Sequence, residues 1–560
     1  MTEHYKRAAV VQFGYERSPD QDATSVPRHR VVVVGAGPVG LATAIDLAQR
    51  NVPVVLLDDA DRIGEGSRGL CYSKRALEIL DRLGAGAPVV DKGVSWKIGK
   101  VFFRDEQVYQ FDLLPEAGHK MPAFVNLQQY YLEQYLVERC RAQEGLIDLR
   151  WKTKLVGIRN EDGHVALEAE TPDGKYRLEA DYVIACDGAS SDTRRMMDMD
   201  FTGTFFADRF LIADVVMKAD FPAERWFWFN PPFHRNQSVL LHMQADNVWR
   251  IDFQLGWDAD PEEEKKPENV IPRLKAMLGE ETQFELEWTS VYTFQCRRMK
   301  QFRHGRLFFV GDAAHQVSPF GARGANSGFQ DSDNLLWKLK LVLDGKAPDS
   351  LLDSYNAERV PAADENLLNS TRSTDFITPK SKISHTFRDA TLLLAEEYPF
   401  ARTLVNSGRL SIPSVYRDSP LNTPDEAEFD SPMAPGTPST DAPVNDDEWF
   451  LQLIGNNRFN GLYFSQSEGA LSNDEQAMLN TLTETAPAPL TLFVAGLKPD
   501  SKRSANVNPL ADSKGILKQR FDGQPGTFYL FRPDQHVTAR WRQLEPKKIE
   551  AALNRAIGRR

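Results

Sequence analysis

Four consecutive valines, Val31 to Val34, run directly into Gly35-Ala36-Gly37-Pro38-Val39-Gly40, and an apolar helical pattern continues to Arg50. This strand–turn–helix sequence limits what the chain can fold into more than any other feature. Gly35 permits the tight turn, Gly37 lets a pyrophosphate approach the backbone, and Gly40 lets helix and strand pack closely. Phosphates at such a turn meet free N–H groups and the positive end of a helix dipole. The next strand pattern, Val54 to Leu57, ends at Asp58. That is about 20 residues past the last glycine, where a carboxylate reaches an adenosine ribose. Asp59 is adjacent and competes for the role. The pattern predicts a dinucleotide-binding α/β unit, with Pro38 and Val39 at the turn, and leaves open which dinucleotide.

Two further motifs narrow the choice. The strand pattern Tyr182 to Ala185 leads into Asp187-Gly188-Ala189-Ser190-Ser191-Asp192-Thr193-Arg194, which reads D-G-x-x-S-x-x-R. A short buried strand, Leu307 to Val310, leads into Gly311-Asp312-Ala313-Ala314-His315, followed by Pro319, Phe320, Gly321 and Gly324. A helix is predicted over roughly Ala325 to Leu343, where Phe329, Leu335, Leu336, Leu339 and Leu343 recur at helical spacing. These three motifs, in this order, resemble the class A flavoprotein aromatic hydroxylases (the para-hydroxybenzoate hydroxylase-like family) from about residue 30 to 370.

The resemblance implies a fold and a chemistry. The fold is α/β and multidomain: a Rossmann-like FAD-binding domain with an inserted antiparallel-sheet substrate domain. The cofactor is FAD, NADPH or NADH is the co-substrate, and O₂ forms a C4a-hydroperoxide that hydroxylates a phenolic ring. Asp312 is implied to bond the FAD ribityl chain, and Arg68 and Gln128 to make further FAD contacts. Asp187, Gly188 and Arg194 are implied to serve FAD pyrophosphate and NAD(P)H. Pro319 should lie against the flavin ring. Gly311, Gly324, Ala325 and Asn326 should aim a helix N-terminus at its pyrimidine end, where reduced flavin carries negative charge. His315 belongs to the motif and reads as structural.

Two departures from the family pattern stand out. Many members read Gly-Gln-Gly where this chain has Gly321-Ala322-Arg323-Gly324. Arg323 therefore adds a cation beside the expected flavin, either for an anionic substrate and flavin tuning or for pairing with a carboxylate. Leu70 stands near where some phenol hydroxylases place a His or Asp that helps deprotonate the phenol. With no obvious base in its place, the expectation is a substrate that arrives ionised, such as a nitrophenol or nitrocatechol.

Between Phe201 and Phe294, alternating runs (Arg225 to Phe229, Ser238 to Gln244, Val248 to Gln254) predict an antiparallel sheet with one buried face. Trp226, Trp228, His242, Trp249, Asp252 and Phe320 are candidates for an aromatic-lined substrate pocket. Ordinary sheet core is the competing reading. Alternation puts Trp249 and Asp252 on opposite faces, so a regular strand turns only one of them inward. Trp226-Phe227-Trp228-Phe229-Asn230-Pro231 is also similar to the W-x-W-x-I-P signature of flavin halogenases, with Asn230 in place of Ile. A non-catalytic FAD-binding scaffold is a further alternative, and the intact flavin motifs argue against it.

The 560 residues are too many for a single core. The divisions expected are an arm (1–28), the FAD-binding domain (29–200 with 295–370), the substrate sheet (201–294), a helical segment and linker (371–447), and a C-terminal domain (448–560). The linker assignment rests on the Pro, Ser, Thr and Asp content of 411–447. In the C-terminal part, strands over Pro489–Ala495, Thr527–Phe531 and Val537–Trp541 and a helix over Pro546–Ile557 resemble the thioredoxin-like domain of the phenol hydroxylase and 3-(3-hydroxyphenyl)propionate hydroxylase branch. No cysteine follows Cys296, so such a domain is redox-silent. The net charge of −12 disfavours nucleic acid and anionic membrane as partners. Four scattered cysteines and the lack of a signal-peptide pattern predict a cytoplasmic protein without bound metal. The resemblance implies a homodimer.

Overall fold

The computed structural model describes residues 11–64, 69–143, 145–219, 221–405, 410–455, 457–497 and 507–559. The valine run lies inside the strand Arg28–Val34, paired in parallel with Val54–Leu57 on one side and Gly174–Ala185 on the other. Val31 to Val33 are fully buried, as a strand covered on both faces requires, which explains the continuous apolar run. Ile147–Arg150 extends the sheet on one edge and Leu307–Phe309 on the other, both in parallel. The three motifs therefore leave the same end of neighbouring strands.

The helix Pro38–Gln49 packs against Gly324–Leu343. A Cβ on Gly328 would come within 2.7 Å of Val39 Cγ2, so glycine there sets how closely the two helices approach. Thr43 and Ser332 hydroxyls bond across the contact at 2.7 Å.

The predicted middle sheet is present and larger than expected. Its strand order is His315–Gln316, Glu285–Arg298, Thr202–Val216, Val248–Leu255, Ser238–Met243, Arg225–Phe229, Ile98–Phe103, Glu106–Asp112. The last two strands come from the FAD-binding portion. Ile98–Phe103 joins Arg225–Phe229 in parallel, a long-range pairing that no local pattern announces. Both faces of the sheet are apolar. Trp228, Trp249, Ile251 and Phe253 pack on the outer face with Val270 and Leu274 of the helix Pro267–Leu278. Phe210, Phe227, Phe229 and Leu240 pack on the inner face with Phe320.

The C-terminal unit holds a five-stranded mixed sheet in the order Val507–Leu510, Leu490–Leu497, Phe459–Gly469, Phe528–Phe531, Val537–Trp541. The helix Pro546–Ala556 buries Ile549, Leu553 and Ala556 against it. Its central strand, Phe459–Gly469, was absent from the sequence reading, as was the helix Asn473–Thr485.

The stretch read as a linker is irregular yet anchored. Thr423 N donates to Thr538, Gly436 N to Val537 and Ser439 N to Gln535, at 2.7–2.8 Å, and Tyr416 stacks on His536 at 4.6 Å. Upstream, Ser411 N donates to the Gly321 carbonyl at 2.8 Å, so the strap also touches the flavin-motif loop. At the other end of the chain, Phe13 stacks on Trp151 at 4.4 Å, which makes residues 11–27 a strap over the first sheet. No helix among the described residues is long and apolar enough to cross a membrane.

Candidate active site

The glycine turn has the shape its sequence predicts. Gly35 has φ +99°, and a Cβ there would meet Cys186 O at 2.6 Å. A Cβ on Gly40 would collide with Gly35 O at 1.8 Å. Gly37, by contrast, faces open space, as a backbone that receives a phosphate must. Asp58 Oδ2 accepts from Ala36 N at 2.5 Å and Oδ1 from Ala60 N at 2.8 Å, so this carboxylate sits at the turn while Asp59 points to solvent. Of the two, Asp58 is the carboxylate placed at the turn.

The other two motifs converge on the same groove. Asp187 Oδ2 caps Thr193 N at 2.9 Å, and its buried Oδ1 has no hydrogen-bond partner among the described residues. Gln128 donates to the Ala245 carbonyl at 3.0 Å, and its buried Oε1 has no partner among the described residues. Asp312 and Pro319 keep accessible surface although their neighbours Gly311, Ala313, Ser318 and Phe320 are buried. Asp312 is also enclosed by protein, which raises its carboxyl pKa. A carboxyl both enclosed and accessible lines a groove. Asp312 Oδ1 lies 3.7 Å from where a Gly324 Cβ would stand, at the N-terminus of the Gly324–Leu343 helix. Asn326 fixes that end: its amide donates to Cys71 O at 2.9 Å and accepts from Ser73 N at 3.0 Å. An open phosphate turn, two orphaned polar atoms and a lining carboxylate fit a flavin dinucleotide.

Two expected roles change. Arg194 does not project into the groove. Its guanidinium donates to Ala313 O at 2.7 Å and Ala189 O at 3.0 Å and stacks on Phe201 at 4.0 Å, clasping the second motif to the third. Arg323 is buried and lies over Gly321, whose added Cβ would fall 1.4 Å from Arg323 Nη1. Its charge acts towards Cys296 of the sheet, which places the guanidinium among protein groups on the sheet side of the loop. Arg68 lies outside the described residues. His315 is structural as expected: Nε2 meets Asp331 Oδ2 at 2.6 Å, and Asp331 also accepts from Gly311 N and Arg359.

The substrate sheet turns its polar row inward. Arg225, His242, Arg250 and Asp214 are in register across four strands, with Asp252 two residues beyond Arg250. Side chains opposite one another on neighbouring strands are about 5 Å apart at Cβ. Arg250 holds Asp214 bidentately, 2.8 Å at each contact, and Gln244 adds a bond to Asp214 at 3.0 Å. The other three are less satisfied. Arg225 Nε, His242 Nδ1 and Asp252 Oδ1 are buried without a hydrogen-bond partner among the described residues. Arg225 is 7% exposed and His242 4%. Burial, with Arg225 and Arg250 adding to it, keeps the His242 imidazole neutral, well below its ordinary pKa. The row borders Cys71, whose thiol burial pushes to about 11 while Arg225 and Arg250 pull it down. Phe210 and Phe294 meet Phe320 edge-on at 4.7 and 5.4 Å, closing the space between sheet and flavin loop.

A family profile described as an FAD binding domain matches residues 28–370. The chain belongs to that family. It is 28% identical to a 6-methylpretetramide 4-monooxygenase of Streptomyces rimosus, over 94% of this chain and 93% of the relative. It is 25% identical to a 3-(3-hydroxy-phenyl)propionate/3-hydroxycinnamic acid hydroxylase of Mycolicibacterium smegmatis, over 90% and 89%. A solved structure of the flavin-dependent monooxygenase PieE, in complex with FAD and substrate, superposes with a TM-score of 0.79 at 20% identity, covering 96% of this chain and all of the other. The multidomain α/β fold is thus that of flavin monooxygenases, and the chain is an FAD-dependent oxidoreductase of this kind, with NAD(P)H as co-substrate.

Within this family frame, His242, Asp252 and Phe320, three of the sequence's pocket candidates, lie on the inner side. Trp226, Trp228 and Trp249 do not. They pack on the outer face with Phe102 and Phe221, away from the flavin loop, because alternation from inward Arg225 forces them there. Arg225 and Arg250 were missed. A charged residue recurring within otherwise apolar strands, opposite Trp226 and Trp249, was the available signal. A separate cavity of about 220 Å³ lies at the seam with the C-terminal unit, lined by Asp81, Arg82, Lys120, Asp441 and Gln535. Lys120 pairs with Asp81 and Arg82 with Asp333, Asp441 accepts from the backbone N–H groups of Lys120 and Leu451, and the cavity touches none of the flavin motifs.

Proposed function

We propose that this chain hydroxylates a phenolic ring, using NADPH or NADH and O₂. The observation that carries the reading is the row of buried, unpartnered polar atoms facing the flavin-motif loop, since burying such groups without partners is costly unless a ligand satisfies them. FAD, held by the glycine turn, Asp58, Asp187 and Asp312, would supply electron transfer from the nicotinamide and activation of O₂. The chain's own residues do the rest. Phe210, Phe227, Phe229, Leu240 and Phe320 form an apolar wall that excludes water and stacks against a ring. The N-terminus of the Gly324–Leu343 helix offers N–H groups to negative charge at the flavin's pyrimidine end. Halogenation has no support here, because Trp226 and Trp228 of the W-F-W-F-N-P run face away from the loop.

NADPH and NADH oxidation by the purified yellow protein should rise with a subset of phenols, from hydroxyphenylpropionates and nitrocatechols to polycyclic phenols, with one oxygen atom added by mass. A panel in which no phenol stimulates oxidation would sink the proposal. The resemblance further implies a cytoplasmic homodimer, and a solution mass of one chain would overturn the dimer.

A further inference from the structure

Three members of the row on the substrate sheet, the acid Asp252, the cation Arg225 and the neutral imidazole His242, share one face, and each has a buried atom without a partner among the described residues. Arg225 and His242 are directly opposite in register, and Asp252 lies beside them on the next strand, across from Leu240. Arg250 cannot serve a ligand in the same way, because both its forks are engaged with Asp214. Asp252 retains partial accessible surface although protein surrounds it on all sides. Like Asp312, it therefore borders an internal space, here the one closed by Cys71 and Phe320.

We propose that Asp252 accepts the proton of the substrate phenol and that Arg225 holds the resulting phenolate oxygen. This rests on the hydroxylase reading and revises the expectation, drawn from Leu70, that the chain lacks a base. The proton leaves the phenol O–H and bonds to an Asp252 oxygen. The electron pair stays on the phenol oxygen, and the site's net charge is unchanged. The phenolate then lies against the Arg225 guanidinium, which donates to it, and its ring carbon becomes the nucleophile that oxygen transfer needs. His242 stays neutral throughout and offers a donor or acceptor to a second oxygen of the substrate.

The charges facing Asp252 suit this task. Burial raises its pKa to about 7, with Arg250 and Arg225 lowering it and Asp214 raising it. An acceptor near neutrality is ionised at working pH and still basic enough to hold the proton. Cys71, the remaining titratable neighbour, stays a neutral thiol. Among the described residues Asp252 is the opposing charge that acts on Arg225, and burial lowers the guanidinium's own pKa, so an incoming phenolate gains an under-compensated cation.

The test uses FAD-loaded protein without nicotinamide and 4-nitrophenol as the probe, read by its visible phenolate band between pH 6 and 9. In the wild type the proton stays inside the complex, so wherever Asp252 starts ionised the bound probe shows the full phenolate band irrespective of bulk pH. In Asp252→Asn the bound band should follow bulk pH. In turnover, Asp252→Asn should lose at least about tenfold in kcat with a phenol of ordinary acidity (pKa about 10). It should stay within about twofold with a nitrophenol ionised at assay pH. Asp252→Glu should restore most of the loss. Arg225→Gln, a second and independent variant, should diminish the phenolate band of bound 4-nitrophenol. If Asp252→Asn hydroxylates both phenols like the wild type and its bound band is equally pH-independent, Asp252 is not the acceptor, while the hydroxylase reading stands. If the wild type neither binds nor responds to any phenol, both readings fall.

Discussion

At the residue scale, each flavin motif works through one or two atoms, and their loss should be separable. Asp312→Ala removes the carboxylate that lines the groove, and FAD retention should weaken by about 1–3 kcal/mol, roughly 5- to 150-fold in Kd. Flavin-release titration reads this directly, and unchanged occupancy would refute the role. Arg194→Ala leaves the buried Ala313 carbonyl without its side-chain donor and takes one of two donors from the Ala189 carbonyl, which keeps Gln316. Its expected effect is a lower melting temperature and looser FAD, with little change in the nicotinamide KM relative to kcat. A KM rise with flavin retention intact would return Arg194 to the reductive site. Asp252 carries a stability signature as well. Its folded pKa lies above its ordinary value of 3.8, so the folded state binds more protons between pH 3.8 and about 7, and stability falls as pH rises through that window. Asp252→Asn should accordingly melt higher than the wild type above pH 7 and show no such gain at pH 4, as functional sites held at a cost to the fold often do.

At the scale of elements, the first βα turn and the long flavin helix were legible because their determinants are local. Gly40 is the sharpest case. A Cβ there meets backbone that cannot move aside, so Gly40→Ala should cost more than a typical overpacking substitution, about 1–3 kcal/mol, and abolish FAD binding. Stable flavin loading in that variant would show that the turn can shift. The substrate strands were equally legible, but not which face looks inward. Periodicity distinguishes faces only when one is wet, and here Trp249 and Phe253 are as buried as Phe227 and Phe229. The decisive information lay in Arg225, Arg250 and Asp252, polar positions inside apolar strands. The hairpin Ile98–Asp112 stayed invisible as part of this sheet because its pairing partner lies more than a hundred residues away. The strap from 410 to 447 was misjudged for a related reason. Its order comes from backbone bonds to Val537 and Thr538 together with a few scattered apolar anchors, Leu421, Met433 and Val444, which a Pro- and Ser-rich composition hides.

Across the whole molecule, the FAD-binding and C-terminal units are joined by buried charge. Glu358 lies between Lys338 at 2.7 Å and Arg532 at 2.5 Å, and Arg532 also pairs with Asp534 at 2.6 Å. Arg75 bridges Asp333 at 3.0 Å and the Asp534 carbonyl at 2.8 Å. Removing one partner from such a network strands the others, so Arg532→Met should destabilise the seam by about 3–5 kcal/mol. Limited proteolysis should then cleave between the units, and wild-type resistance would contradict the prediction. Burial acts to raise the Glu358 carboxyl, but Arg532 and Lys338 hold it at about 2, below its ordinary 4.5. Its contribution is therefore complete above pH 4.5 and is lost as pH falls towards 2.

The bond from Ser411 to Gly321 bears on the order of assembly during synthesis. The flavin-motif loop is braced by a strap, and the strap is itself pinned by Val537 and Thr538 near the far end of the chain. A nascent chain released from the ribosome exit only as far as residue 370 holds all three flavin motifs but lacks both the brace and what secures it. Durable capture of the cofactor is therefore expected only after translation of nearly two hundred further residues, and a chain ending at residue 370 should release FAD faster than the full chain.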